Sequence, residues 1–143
     1  MQKHLILTAL LAVLAAPAQA STYLTVAGLS WHSDRAAGYR EKNPGIGIEH
    51  DVSDDVSLIA GTYINSYNRR TAYAGARWMP LVFGPVRAGL TGAVATGYEQ
   101  RFVAFPTLTV DLTDRVGLGV IAAPGIGKDA SAFVGVELRL RFN

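Results

Sequence analysis

The stretch Ala132-Phe133-Val134-Gly135-Val136-Glu137-Leu138-Arg139-Leu140-Arg141-Phe142 decides the fold. Ala132, Val134, Val136, Leu138, Leu140 and Phe142 form one face at a period of two. Phe133, Gly135, Glu137, Arg139 and Arg141 form the other. Successive side chains of a strand point to opposite sides of its sheet. A strand with six apolar groups on one side and three charges on the other stands between two different solvents. The alternation recurs upstream. Phe102, Ala104, Pro106, Leu108, Val110 and Leu112 alternate with Val103, Phe105, Thr107, Thr109 and Asp111. Val56, Leu58, Ala60 and Ile64 alternate with Ser57, Gly61, Tyr63 and Asn65, and Val116, Leu118, Val120 and Ala122 alternate mostly with glycine.

Eight such segments follow one another, at 22–33, 44–52, 56–66, 71–80, 85–96, 102–112, 115–123 and 131–142. Most have about ten residues, the length with which a tilted strand crosses a bilayer. Short and long connections take turns between them. Ser53-Asp54-Asp55, Leu81 to Gly84 and Thr113-Asp114 are tight, while 34–43, 67–70, 97–101 and 124–130 are longer and mostly more polar. Short turns on one side and long loops on the other mark outer-membrane barrels. A sheet in lipid must also close, because no backbone edge can face hydrocarbon unpaired. The expected fold is an all-β, eight-stranded antiparallel outer-membrane β-barrel over residues 21–143.

Composition agrees. The chain has 143 residues, no cysteine, and only 17% charged residues, against about 25% in ordinary soluble domains. It has room for one domain, and no disulfide scaffold or thiolate metal site is available to it. Three histidines, His4, His32 and His50, give little material for a metal centre. A formal charge of +2 spread along the chain argues against a nucleic-acid partner. No metal and no cofactor are expected.

Residues 1–20 read as an export signal. Lys3 and His4 give a basic head, Leu5 to Ala16 an apolar run, and Ala18-Gln19-Ala20 a small-x-small cleavage pattern. The run is too short for a retained membrane helix, which needs roughly 20 residues.

A soluble eight-stranded cup is the alternative, with its apolar face turned inward. The minor face here carries Glu49, Asp51, Arg87, Asp111, Glu137, Arg139 and Arg141, so the leucine- and valine-rich face must be the outer one. Phe142, near the end of the last strand, is the kind of aromatic ending that outer-membrane barrels carry.

With both termini on the periplasmic side, strands one and three end at the outer rim. That places Trp31-His32-Ser33 and Asn65-Ser66-Tyr67 at one height. A histidine near a serine suggests acyl transfer, the imidazole taking the hydroxyl proton while a third group orients the ring. The alternative is that polar rim loops hold such residues by chance.

The order of several short motifs adds to this. Ser30-Trp31-His32, Tyr39-Arg40-Glu41-Lys42-Asn43-Pro44-Gly45-Ile46-Gly47, Asn65-Ser66-Tyr67-Asn68-Arg69 and Trp78-Met79-Pro80-Leu81 resemble, in sequence, segments of the lipid A palmitoyltransferase family (PagP). Phe105-Pro106-Thr107-Leu108, Ala123-Pro124-Gly125 and Arg139-Leu140-Arg141-Phe142 continue the match loosely. The resemblance implies a monomeric outer-membrane acyltransferase that moves a palmitoyl-like chain from a phospholipid donor to lipid A in lipopolysaccharide. It implies His32 and Ser66 as catalytic residues, with Asn65 at the family's aspartate position. An asparagine supplies no negative charge, though its carbonyl oxygen can orient a ring, and Asp34 lies nearby in sequence. The family's helix before the first strand has no counterpart, and Ala27 stands where it has a proline.

Pro44, Pro106 and Pro124 match the family's prolines, and the resemblance implies that such breaks open the wall to lipid, since proline donates nothing to a ladder. The alternative, equally open for Pro44 and Pro124, is that they only end strands at loops, whereas Pro106 lies inside an alternating strand. Gly61, Ala72, Ala74, Ala76, Gly89, Thr91, Ala93, Gly117 and Gly119 are candidates for an inward-facing slot able to take an acyl chain, or for positions that let a narrow barrel curve. Arg87, Asp111, Glu137 and Arg139 are expected to pair in the lower lumen, because unpaired buried charge is costly. Gly125-Ile126-Gly127-Lys128 lacks the residues of a phosphate loop. A non-enzymatic barrel that keeps the scaffold without the activity is the second functional reading. A lipid A deacylase of the other eight-stranded type is disfavoured, because no histidine follows His50.

Overall fold

A computed structural model describes residues 20–125 and 131–143. The export signal therefore lies, but for Ala20, outside the described residues, as do Ile126, Gly127 and Lys128. Eight strands run in order: β1 Thr22–His32, β2 Lys42–Asp51, β3 Val56–Ile64, β4 Arg70–Phe83, β5 Val86–Ala95, β6 Phe102–Asp111, β7 Val116–Ala123 and β8 Phe133–Arg141. Each pairs antiparallel with the next, and β1 pairs with β8, from Tyr23↔Arg141 to His32↔Phe133, so the sheet closes.

The alternation seen in β8 settles which side is which. Glu49, Thr25, Thr71, Arg77, Thr91, Thr107, Thr109 and Arg139 are buried inside, whereas Ile46, Leu58, Leu90, Leu108, Val136 and Leu138 are exposed on the outer wall. Phe102 is 79% exposed while Glu49 is 1% exposed. This inverts a water-soluble protein and is the pattern of a barrel built for lipid. A cup with an apolar lumen is excluded.

The lower lumen is filled by charge. Arg77 on β4 donates from Nη1 to Glu49 Oε2 and from Nη2 to Glu137 Oε1, both at 2.7 Å. Arg139 on β8 donates from Nη2 to Glu49 Oε1 at 2.8 Å and reaches Asp111 at 3.4 Å. Arg77 Nε continues to the Thr91 hydroxyl, itself 2.7 Å from that of Thr107. The expected network thus gains Glu49 and Arg77 and loses Arg87. The Arg87 guanidinium turns instead to the Asp54 carbonyl at the short-turn end.

Two further expectations change. β4 carries Thr71, Tyr73, Gly75 and Arg77 inward, paired with Tyr63, Gly61, Ile59 and Ser57. Ala72, Ala74 and Ala76 therefore lie on the outer wall and line no slot. The cause is Arg77, whose charge has partners only inside. The inward glycines mostly give their space to neighbours rather than leave it empty. A Cβ at Gly61 would sit 2.6 Å from the Tyr73 hydroxyl, and one at Gly119 2.6 Å from Glu137 Oε1. β4 also continues through Leu81–Phe83, so its turn shrinks to Gly84-Pro85, with Gly84 at φ 60°.

Candidate functional site

The loop end holds the residues singled out for chemistry, and a backbone irregularity aims the first of them. In β1, Tyr23, Thr25 and Ala27 face inward with Arg139, Glu137 and Glu49 opposite or beside them. Strict alternation would send Trp31 inward and His32 to the wall. A bulge between Ala27 and Leu29 inserts Gly28 and reverses the parity. Trp31 becomes 52% exposed and His32 only 6%.

His32 then joins a run of stacked rings. Its imidazole lies 4.7 Å from the Tyr39 ring and 5.8 Å from the Phe133 ring, nearly parallel to both. Phe133 touches Phe105 edge-on at 5.3 Å. Tyr39 meets Tyr67, Tyr67 meets Tyr98, and Tyr98 shares a 2.7 Å hydroxyl contact with Tyr63, which leans on Tyr73. Burial, with the Tyr63 and Tyr67 phenols nearby, pushes the Tyr98 phenol up, so it stays protonated. Apart from Tyr67, which is exposed in the β3–β4 loop, these rings gather at the loop end of the barrel. His32 Nδ1 is buried and finds no hydrogen-bond partner among the described residues.

Asn65 is fully buried and committed elsewhere. Its Oδ1 accepts from the backbone N–H groups of Tyr67 and Arg69, both at 3.0 Å. Its Nδ2 donates to the Thr71 hydroxyl at 3.1 Å and the Gly97 carbonyl at 3.2 Å. The side chain closes the β3–β4 loop as an Asx turn and ties it to the next loop. Gly97 makes the approach possible, with φ 80° and no Cβ to press on Asn65 Nδ2. Ser66 is half-buried, and its carbonyl accepts from Arg40 N–H at 2.9 Å. Asp34 caps its own loop, accepting from Ala36 and Ala37 N–H groups. No hydrogen bond joins His32, Asn65 and Ser66 among the described residues.

With this geometry in place, the comparisons speak to the fold alone. The sequence matches no family model and no curated protein, so the resemblance to lipid A palmitoyltransferases finds no support there. Solved structures do match. One, from "De novo design of transmembrane beta-barrels", aligns with a TM-score of 0.60 at 13% identity, covering 85% of this chain and 95% of that one. Another, the solution NMR structure of the de novo designed TMB2.3, aligns with a TM-score of 0.57 at 16% identity, covering 90% and 98%. The chain is a small, closed, membrane-type β-barrel.

Sequence reasoning missed the ring stack and Asn43. Asn43 accepts from the Ser30 hydroxyl at 2.6 Å and donates to the Ile64 carbonyl at 3.0 Å, linking β1 and β2 to the end of β3. Its inward parity with Gly45, Gly47 and Glu49 was the available signal.

Proposed function

We propose that this chain is an outer-membrane β-barrel of structural or binding type, with its long loops outside the cell and no acyl-transfer centre in its lumen. One observation carries this reading: the Asn65 amide spends both acceptor contacts and both N–H groups on the turn and its neighbours, so among the described residues it gives the His32 ring no hydrogen bond, and that ring is held by stacking on Tyr39 and Phe133. A base without an orienting partner is a poor activator of a hydroxyl. Mass spectrometry of lipid A from cells with and without the gene is the test. Identical spectra, unchanged by His32→Ala and Ser66→Ala, support the reading. A mass gain of one fatty acyl group overturns it.

A specific observation favours the second reading, acyl transfer from phospholipid to lipid A with His32 as base and Ser66 as hydroxyl. The β6–β7 ladder runs from Asp111↔Gly117 to Thr107↔Ile121 and stops at Pro106. Above that point β6 and β7 have no pairing with each other among the described residues, while β6 stays paired with β5 and β7 with β8, and Phe105 behind the break touches Phe133, which stacks on His32. A lipid chain entering sideways would meet the ring cluster. Under this reading the purified protein acylates lipid A in detergent, and Asn65→Asp raises the rate.

A further inference from the structure

Trp31 and His32 are consecutive, yet they lie on opposite faces of β1, Trp31 exposed outside and His32 buried within. The loop that follows, residues 33–41, takes hold of both. Arg35 lies over the Trp31 ring at 5.9 Å and pairs with Glu41. Tyr39 stacks on the His32 ring at 4.7 Å. One loop therefore grips the end of β1 from outside and from inside. Its far end is tied to the β3–β4 loop. There Arg40 N–H donates to the Ser66 carbonyl at 2.9 Å, and Arg40 Nη1 donates to Asn68 Oδ1 at 2.7 Å.

The inner grip suits an uncharged imidazole. A neutral ring has one N–H and one bare nitrogen, whereas an imidazolium has two donors to satisfy. Nδ1 is shut off from solvent, and the described residues offer it no acceptor. The rings around it bring no charge. They are Tyr39 from the loop, Phe133 from β8, and Phe105 of β6 behind Phe133. Among the loop's charged groups, Glu41 acts on the ring electrostatically, but its carboxylate is committed to Arg35. Asp34 caps its own loop, and Arg40 turns to Asn68 and the Lys42 carbonyl. Attraction of a cation to the two ring faces replaces neither the lost hydration nor the missing acceptor.

We propose that acid releases this grip: when His32 takes up a proton, its ring parts from Tyr39 and the loop lifts from the end of β1. Phe133 stays, because the β1–β8 ladder pairs it with His32. Tyr39, carried by a loop, is the partner that moves. It meets Tyr67 edge-on, and Tyr67 meets Tyr98, so its departure loosens the ring cluster at the loop end. The open form binds a proton that the closed form does not, so falling pH favours opening. The device is independent of whether the chain transfers acyl groups.

Hydrogen exchange at Arg40 N–H, followed by NMR on the protein folded in zwitterionic detergent, reads the loop. Its protection factor, corrected for the intrinsic exchange rate, should fall about 30-fold between pH 7.5 and pH 5.0, the factor for an imidazole that titrates at about 6.5 once open. Amides of the β5–β6 ladder should keep theirs, which also checks that each variant folds. His32→Phe keeps a stacking ring without a titrating nitrogen and should level the profile, and His32→Leu should level it too. Tyr39→Ala should show the low protection already at pH 7.5. Glu41→Gln should retain the step. A level profile in the unaltered protein overturns the proposal, as does protection that rises in acid. A step that survives both His32 variants or Tyr39→Ala overturns it, and so does one that vanishes in Glu41→Gln, which would make the carboxylate the switch.

Discussion

Arg139 and Glu49 meet through two guanidinium nitrogens and both carboxylate oxygens, one residue on β8 and the other on β2, with β1 between them. The pair therefore ties the strands flanking β1 across the lumen, at the seam where the sheet closes.

Breaking it leaves two arginines with one carboxylate fewer. Glu49→Ala should lower the stability of the folded barrel by about 3–5 kcal/mol, since it strands buried charge. Asp111→Asn should cost less than about 1 kcal/mol, because that contact is longer and Asp111 is exposed. Urea unfolding in detergent, followed by gel mobility, separates the two. Equal costs would show that the network does not hold the seam.

Gly119 and Glu137 should be coupled. The atoms nearest a Cβ at Gly119 all belong to the Glu137 side chain, the closest at 2.6 Å. Gly119→Ala should cost about 1–3 kcal/mol, and most of that cost should vanish in a Glu137→Ala background. Additive costs would mean that the alanine strains the backbone instead.

Asn65 should behave as a turn residue. Asn65→Ala removes both acceptor and donor at a fully buried position, at a cost of about 1–3 kcal/mol. Asn65→Asp keeps the acceptor but faces the Gly97 carbonyl with an acid. That protein should be more stable at low pH, where the protonated acid can donate to Gly97, and lose stability as pH rises. Melting temperature across pH 4 to 8 reads this, and a flat profile would count against it.

Gly28 should matter for its presence rather than for lacking a side chain. A Cβ there meets nothing within 4 Å, so Gly28→Ala should change stability by under about 0.5 kcal/mol. Deleting Gly28 should flip Trp31 inward and His32 to the wall, abolishing the ring stack. Trp31 fluorescence protected from lipid-borne quenchers in the deletion variant alone is the expected signature.

The barrel was legible in the sequence because lipid and lumen impose opposite demands on alternate residues, and the halves of β6 and β8 nearer the short turns meet both, with Thr107, Thr109, Glu137 and Arg139 inward and Leu108 and Leu138 outward. β4 misled because alanine is compatible with either side, and its true parity rests on one residue, Arg77, whose partners Glu49 and Glu137 lie far away in sequence. His32 reached the loop end as expected, yet its inward aim depends on a single inserted residue that alternation cannot reveal. Asn65 carried no signal for its actual work, since the partners Thr71 and Gly97 come from a later strand and loop.

The charged lumen constrains how such a chain can enter a bilayer. Glu49, Arg77, Glu137 and Arg139 come from three strands, β2, β4 and β8, so a half-assembled sheet would expose unpaired ions to hydrocarbon. Insertion by one hairpin at a time is thereby penalised, and crossing the membrane and sealing the cylinder become a single concerted event.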